Sequence, residues 1–187
     1  MKKLSKFFYR RSTGAAALIS LLVLVVFAML VLPGQSAAAE TYSGEAGSPD
    51  LSLFYSAEDL YRMAESYGPE GRASYIRARF TFDLGFPLVY GLFLTACVSW
   101  LLNRALPMGS RWRLLNLAPV LAVLFDLLEN ISAALVIGRF PVETPVIATL
   151  APAFTLIKWV FVGGSFALLF LAAVLAFFQR NISHTSH

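Results

Sequence analysis

Cysteine, histidine and charged residues are scarce in this chain, and each scarcity excludes a class of function. A single cysteine, Cys97, excludes an intrachain disulfide and any thiol–disulfide enzyme that needs a cysteine pair. The two histidines, His184 and His187, lie in the C-terminal tail, away from the apolar segments, which excludes a histidine-based metal site or Ser-His-Asp triad among them. No phosphate-binding loop or dinucleotide glycine motif occurs in a fitting context. We therefore predict no metal and no cofactor.

Apolar residues dominate what remains. The chain is 58% hydrophobic and 14% charged, with a mean hydropathy of +0.68, which lies outside the range of soluble globular domains. Segments 12–39, 84–103 and 159–179 contain no Asp, Glu, Lys or Arg. Each is long enough to cross a bilayer core of roughly 30 Å as a helix, which takes about 20 residues. The composition predicts an all-α integral membrane protein.

The net charge of +4 comes largely from the N-terminus. Five of the fifteen basic residues lie within the first eleven positions, where a cytoplasmic membrane anchor carries them. We therefore predict contact with membrane lipids and no binding of nucleic acid.

The first apolar segment has two interpretations. A basic start, an apolar run over 14–32, a helix break at Pro33-Gly34 and the small residues 37–39 before Glu40 match a secretory signal peptide. The run of about 19 residues is longer than the 7–15 typical of a signal peptide, which favours a retained transmembrane helix. Either way, the chain from Glu40 onward begins outside the cytoplasm.

Residues 34–79 form a polar, extracytoplasmic loop. Its first part, 34–50, is rich in Gly, Ser and Ala and is expected to be loosely ordered. Ser56 and Asp59 form a capping box for a short amphipathic helix over 56–67, which we expect to lie on the outer membrane surface. Gly68 and Pro69 end this helix and begin the next. Four tyrosines suit the headgroup zone: Tyr55, Tyr61, Tyr67 and Tyr75.

The remaining hydropathy pattern completes a four-helix transmembrane bundle, or three helices if the first is cleaved. The second, third and fourth spans are predicted at 80–103, 114–138 and 146–179, with a kink at Pro87 and a bend at Gly163-Gly164. The resulting regions are 1–33, the N-tail and first span or signal peptide; 34–79, the loop; 80–180, three spans; and 181–187, a cytoplasmic tail. More basic residues lie on the side of the two termini, which places both termini in the cytoplasm and the protein in the plasma (inner) membrane.

Polar residues inside the third and fourth spans are the informative exceptions. Asp126, Glu129 and Asn130 are spaced three and four apart and share one helical face. Asp126 and Lys158 lie at the same depth on antiparallel neighbours, about 18 Å below the outer boundary at 1.5 Å per residue. Because unpaired charges in a bilayer are costly, we expect Lys158 to pair with Asp126. Two carboxyls and one ammonium leave one negative charge, so we expect Asp126 and Glu129 to titrate as a coupled pair, with Glu129 as the protonated member.

The second span is expected to supply the third side of a polar site, beside the third and fourth spans. Arg79 and Asp83 form an i,i+4 pair near the outer interface, and Tyr90 lies deep enough for its hydroxyl to reach a carboxyl of the third span. These side chains outline a polar pocket or half-channel open towards the outer face.

Three functions fit these residues. The first is a binding or transport protein for a small or lipid-like molecule, coupled to a proton. The second is an intramembrane acid/base enzyme in which Glu129 or Asp126 acts with Lys158. The third is an accessory subunit that pairs its polar face with another membrane protein. Against all three stands a structural role, since polar contacts between membrane helices also hold bundles together.

Overall fold

The structure is a computed structural model that describes residues 1–49 and 52–184. The described chain is all-helical and contains no strand, which confirms the predicted class. Its eight α-helices are α1 (Lys2–Arg11), α2 (Gly14–Leu30), α3 (Leu32–Ser43), α4 (Ala57–Ser66), α5 (Gly68–Arg79), α6 (Phe82–Ala105), α7 (Ala118–Arg139) and α8 (Pro145–His184). Short 3₁₀ turns occupy Gly44–Ala46 and Arg111–Leu117.

Three helical segments of the described chain are long and apolar enough to cross a membrane: Gly68–Ala105, Arg111–Arg139 and Pro145–Phe178. A fourth is present if α1 and α2, which meet at 90°, count as one span. These agree with the predicted second, third and fourth spans to within a few residues, apart from α5, which precedes α6 after a short break at 80–81.

Helices α7 and α8 form the most extensive helix pair of the described chain, an antiparallel pair joined by a short turn over 140–144. Helix α6 packs against both of them, and α2 packs against α6. Helices α6 and α7 approach closely at Gly91, where an added Cβ would lie 2.2 Å from Val123 Cγ2. We call the end of the bundle that carries α4 and α5 the cap end, and the opposite end, with α1 and the Arg111–Leu117 turn, the basic end.

Helix α4 begins as the sequence predicts. Ser56 accepts a hydrogen bond from the Asp59 amide, and the Asp59 carboxylate accepts one from the Ser56 amide, which completes the capping box. The apolar face of α4 packs onto α7 and α8 and does not lie on an open surface. Three of the four tyrosines that were predicted to lie in the headgroup zone are buried in this core and do not face the surroundings of the protein: Tyr55, Tyr67 and Tyr75.

The segment after α2 differs from its prediction. The helix breaks at Val31, before Pro33, and Pro33 lies in the first turn of α3, where a missing backbone N–H costs nothing. Residues 32–43 are helical, although the Gly, Ser and Ala content predicted loose order through 50. Helix α3 packs against α5, and Tyr42 stacks edge-on against Tyr67 and Tyr75, so tertiary contacts override the weak local preference.

The N-terminal helices are tied into the fold by buried polar contacts. The Ser5 hydroxyl donates to Asn116 Oδ1 at 2.7 Å, and Asn116 Nδ2 donates to the Ser5 carbonyl at 3.2 Å and to Ser99 Oγ at 3.0 Å. Tyr9 donates to the carbonyl of Arg113 at 2.7 Å. The Asn116 side chain is fully buried and makes three hydrogen bonds, two of them to Ser5. Removal of residues 1–39 would remove those two.

Helix α8 is the longest helix and the least buried of the three candidate spans. It continues as an α-helix through Gly163 and Gly164, where an added Cβ would meet no atom within 4 Å. Of the predicted tail at 181–187, residues up to His184 continue this helix, and 185–187 lie outside the described residues.

Candidate functional site

The centre of the site is an ion pair between Glu129 on α7 and Lys158 on α8. The Glu129 residue is fully buried and Lys158 is 5% exposed. The predicted partner of Lys158 was Asp126, and that prediction is wrong. Side chains in a helix tilt towards the N-terminus of that helix. Because α7 and α8 are antiparallel, the Lys158 side chain points towards the cap end and the Glu129 side chain points towards the basic end, so the two side chains meet. Asp126 lies one turn of α7 further from the cap end than Glu129 and forms no ion pair with Lys158 among the described residues.

Asp126 has neutral hydrogen-bond partners. Tyr90 on α6 donates from its hydroxyl to Asp126 Oδ2 at 2.8 Å, as the sequence predicts. Asn130 Nδ2 donates to Asp126 Oδ1 at 3.2 Å, across one turn of α7. The same amide nitrogen donates to the backbone carbonyl of Asp83 at 3.0 Å, which joins α7 to the start of α6. Asp126 is thus oriented by a phenol and an amide.

Arg79 and Asp83 form the second ion pair of the site, with Nη2 and Oδ2 3.1 Å apart. Arg79 also donates from Nη1 to Asn130 Oδ1 at 3.4 Å, and its guanidinium lies 4.4 Å from the centre of the Tyr75 ring. The short break at 80–81 between α5 and α6 allows Arg79 to turn inwards, where its side chain is 4% exposed. Arg79 is therefore part of the buried site, and its contacts are not limited to an ion pair with Asp83 at the surface.

We call these residues the charged cluster: Arg79, Asp83, Tyr90, Asp126, Glu129, Asn130 and Lys158. The structure brings together all seven residues that the sequence singled out. The cluster holds three carboxyls, those of Asp83, Asp126 and Glu129, against the two cations Arg79 and Lys158. Full ionisation would leave one uncompensated negative charge in an apolar interior, which is costly.

The cluster is covered on its cap side by aromatic residues. The hydroxyls of Tyr55 and Thr155 are hydrogen-bonded at 3.1 Å, and Thr155 lies one turn of α8 closer to the cap end than Lys158. Burial, followed by the nearby negative charge of Glu129, raises the pKa of Tyr55 well above its ordinary value, so its phenol is neutral. The fully buried Tyr75 hydroxyl has no hydrogen-bond partner among the described residues.

Among the described residues, the charged cluster is enclosed and does not line the cavities of the cap end, so the predicted pocket open towards the outer face is not present there. Glu129, Lys158 and Arg79 are enclosed, and the Tyr55 side chain occupies the cap side. Two surface cavities occur at the cap end instead, of about 450 Å³ beside α4 and about 370 Å³ between α3 and α5. Neither cavity is lined by a residue of the charged cluster.

Sequence reasoning missed the aromatic cover. Tyr55 precedes α4 and Tyr75 lies in α5, and their spacing along the chain gives no indication that they meet over Glu129. The one available sign was that four tyrosines occur within about 20 residues of each other in the same loop, which was interpreted as contact with headgroups.

In the described part of the chain, no group of three His, Cys, Asp or Glu side chains is arranged to hold a metal ion. The three carboxyls of the charged cluster have separate partners, which lie on α5, α6, α7 and α8. Comparisons with protein family models, with curated proteins and with solved structures find no match to this chain. Any assignment of function therefore depends on the chemistry of the charged cluster.

Proposed function

We propose that the chain is an integral membrane protein of four spans, with both termini in the cytoplasm and the 34–79 loop outside the plasma (inner) membrane. The charge distribution supports this orientation. Eight basic residues lie at the basic end, and segments 1–39, 84–125 and 144–187 contain no acidic residue. Cytoplasmic loops carry such an excess of Lys and Arg. The contacts of Ser5 and Tyr9 support retention of the first helix over its removal as a signal peptide.

We further propose that the charged cluster binds or moves a small or lipid-like molecule, coupled to uptake of one proton. One observation carries this proposal: a fully buried carboxylate–ammonium pair, Glu129–Lys158, lies in a cluster with one carboxyl more than it has cations. A bundle held together by polar contacts alone has no need of an uncompensated charge, which costs several kcal/mol per ion in an apolar interior. Ionisable groups buried in a membrane usually mark a ligand or proton site.

The direction of the side chains separates this function from its alternatives. Glu129, Asn130 and Lys158 point into the chain's own bundle and are buried there, whereas a subunit that used them for assembly would present them outwards. An intramembrane enzyme would also point them inwards, but neither cap-end cavity brings a substrate-sized space to Glu129. The enclosed position of Glu129 therefore favours a proton and a small ligand over a lipid-like molecule, whether that molecule is bound or turned over.

The charges of the cluster favour a proton or a cationic ligand group over an anion. With three carboxyls and two cations, one added positive charge makes the cluster neutral. Glu129 and Asp83 each have a cation as direct partner, whereas Asp126 has only Tyr90 and Asn130, so we place the proton on Asp126. This revises the expectation from the sequence that Glu129 is the protonated member.

Access to the pair requires displacement of Tyr55, which lies on its cap side. The unpartnered Tyr75 hydroxyl supports a ligand at this position, because an unsatisfied buried donor costs about 1–3 kcal/mol and a bound polar group would satisfy it. A ligand that enters from the cap end would therefore meet Tyr55, Tyr75 and Glu129 in turn.

A test is to extract the protein in native membrane patches and to identify the molecules that stay bound by native mass spectrometry. We expect a species bound to the wild type that is lost in Glu129→Gln. Glu143→Gln is the matched control, because Glu143 is an exposed acid in the α7–α8 turn. The same set of bound species in all three proteins would argue against a ligand site at the charged cluster.

A further inference from the structure

Helix α1 carries three separate stripes of side chains. Ser5, Tyr9 and Ser12 face the protein, where Ser5 and Ser12 are buried and Tyr9 is half-buried. Lys2, Lys6 and Arg10, spaced by four residues, are exposed on one flank. The third stripe lies on the opposite flank and contains the exposed apolar side chains Leu4 and Phe7, together with Arg11, whose guanidinium lies 5.8 Å from the centre of the Phe7 ring. The helix thus has one flank with exposed apolar side chains and one basic flank on either side of its contact with the protein.

The position of α1 matches this division. It meets α2 at 90°, so when α2 crosses a membrane α1 lies parallel to its surface. The apolar flank then faces the acyl chains and the basic flank faces the headgroups and water, as in interfacial amphipathic helices. The hydrogen bonds of Ser5 to Asn116 and of Tyr9 to Arg113 hold the helix in this orientation.

Neighbouring residues at the basic end also combine basic side chains with apolar aromatic rings. Arg104 lies 4.1 Å from the centre of the Trp100 ring, and Arg111 lies 5.6 Å from that of Trp112. Exposed basic residues beside tryptophan are typical of the membrane interface. No acidic residue occurs in segments 1–39 or 84–125 to neutralise these charges.

We propose that α1 and the adjacent arginines form a binding surface for anionic phospholipid headgroups of the cytoplasmic leaflet. The proposal rests on the membrane orientation given above and is independent of the charged cluster. Charge complementarity identifies the occupant, because a basic flank without any acid attracts phosphatidylglycerol-type headgroups and gains nothing from zwitterionic ones. The apolar flank distinguishes this surface from a site for a soluble anion, which would have no use for exposed Leu4 and Phe7.

The experiment reconstitutes the full chain in nanodiscs that contain equal amounts of phosphatidylglycerol and phosphatidylcholine. Native mass spectrometry then counts the lipids of each kind that the released protein retains. The test variant is Lys2→Gln/Lys6→Gln/Arg10→Gln. Its matched control is Arg62→Gln/Arg77→Gln/Arg139→Gln, which removes the same charge from exposed positions at the cap end.

We expect the wild type and the cap-end control to prefer phosphatidylglycerol, and the α1 variant to lose that preference by about tenfold or more, since each basic residue near an anionic surface contributes measurably. An unchanged preference in the α1 variant, or an equal loss in the control, would overturn the proposal. A second variant, Leu4→Ser/Phe7→Ser, should also weaken retention of phosphatidylglycerol, whereas a site for headgroup charge alone would leave it unchanged. None of these variants alters Glu129 or Lys158, so loss of lipid preference and loss of ligand at the charged cluster are separate results.

Discussion

Lys158 pairs with Glu129, although Asp126 is the carboxyl that lies opposite it by residue count. The reason is the opposite tilt of side chains on antiparallel helices, which directs Lys158 towards the cap end and Glu129 towards the basic end. This leaves Asp126 with Tyr90 and Asn130 as its partners and without a direct cation. The carboxyl without a cation is therefore the one that depends most on a proton.

Removal of Lys158 is predicted to destabilise the protein in a pH-dependent way. Lys158→Met leaves the buried Glu129 carboxylate without its cation, which costs about 3–5 kcal/mol when the carboxylate stays ionised. Protonation of Glu129 offsets more of this loss at about pH 5 than at about pH 8, so the loss of stability is larger at the higher pH. Unfolding by sodium dodecyl sulfate at the two pH values measures the difference.

The double variant Lys158→Met/Glu129→Gln is the control for this prediction. It removes both charges of the pair and should recover most of the lost stability at both pH values, since a neutral pair of similar volume replaces a buried charge. A loss in Lys158→Met that is independent of pH and persists in the double variant would indicate a packing role for Lys158 and no charge role.

Gly91 is predicted to be essential for the contact between α6 and α7. In Gly91→Ala the new Cβ would lie 2.2 Å from Val123 Cγ2, so the helices must separate, at a cost of about 1–3 kcal/mol. Val123→Ala removes the clashing methyl group, and Gly91→Ala/Val123→Ala should regain part of the stability. Gly163→Ala is the control, because no atom lies within 4 Å of its Cβ position. Thermal unfolding in detergent compares the four proteins, and equal losses in Gly91→Ala and Gly163→Ala would contradict the close contact.

The first helix is predicted to remain in the mature protein. The intact mass of protein purified from membranes should include residues 1–39, because Ser5 and Tyr9 hold this segment against Asn116 and Arg113. Ser5→Ala should lower stability by about 1–3 kcal/mol, since Asn116 Oδ1 loses its buried donor. A mature protein that begins at Glu40 would contradict both statements.

Tyr55 is predicted to make the fold sensitive to alkaline pH. Its pKa in the folded protein is raised by burial above the ordinary value of about 10, so its stabilising effect is complete below about pH 10 and is lost as the pH rises further. Tyr55→Phe removes this dependence while it keeps the ring in place. Thermal midpoints from about pH 9 to 11 should therefore fall less steeply in Tyr55→Phe than in the wild type. Equal slopes would place the Tyr55 phenol in contact with water.

Hydropathy and spacing predicted the long helices and the polar residues that share a face within each helix, because both depend on local sequence. An uncharged apolar stretch of about 20 residues crosses a bilayer as a helix, and Asp126, Glu129 and Asn130 share a face at any position of their helix. The capping box at Ser56 is equally local, and it is present as predicted.

The predictions that failed depend on contacts between distant segments. The helical state of 32–43 and the burial of Tyr55 and Tyr75 arise from packing of α3, α4 and α5 on the rest of the bundle, which no single segment encodes. The partner of Lys158 depends on the direction of side chains, and depth counted in residues takes no account of it. At these positions, local residue preferences and depths counted in residues do not predict the structure.

The central claim is that the charged cluster binds one proton because it holds one carboxyl more than it has cations. Infrared spectroscopy of the protein in lipid bilayers, with and without variants, counts protonated carboxyl groups by their C=O stretch. We predict one such group at neutral pH in the wild type, none in Glu129→Gln, where the charges balance, and two in Lys158→Met. A wild-type spectrum with no protonated carboxyl between about pH 5 and pH 8, or a count that is the same in all three proteins, would contradict the claim.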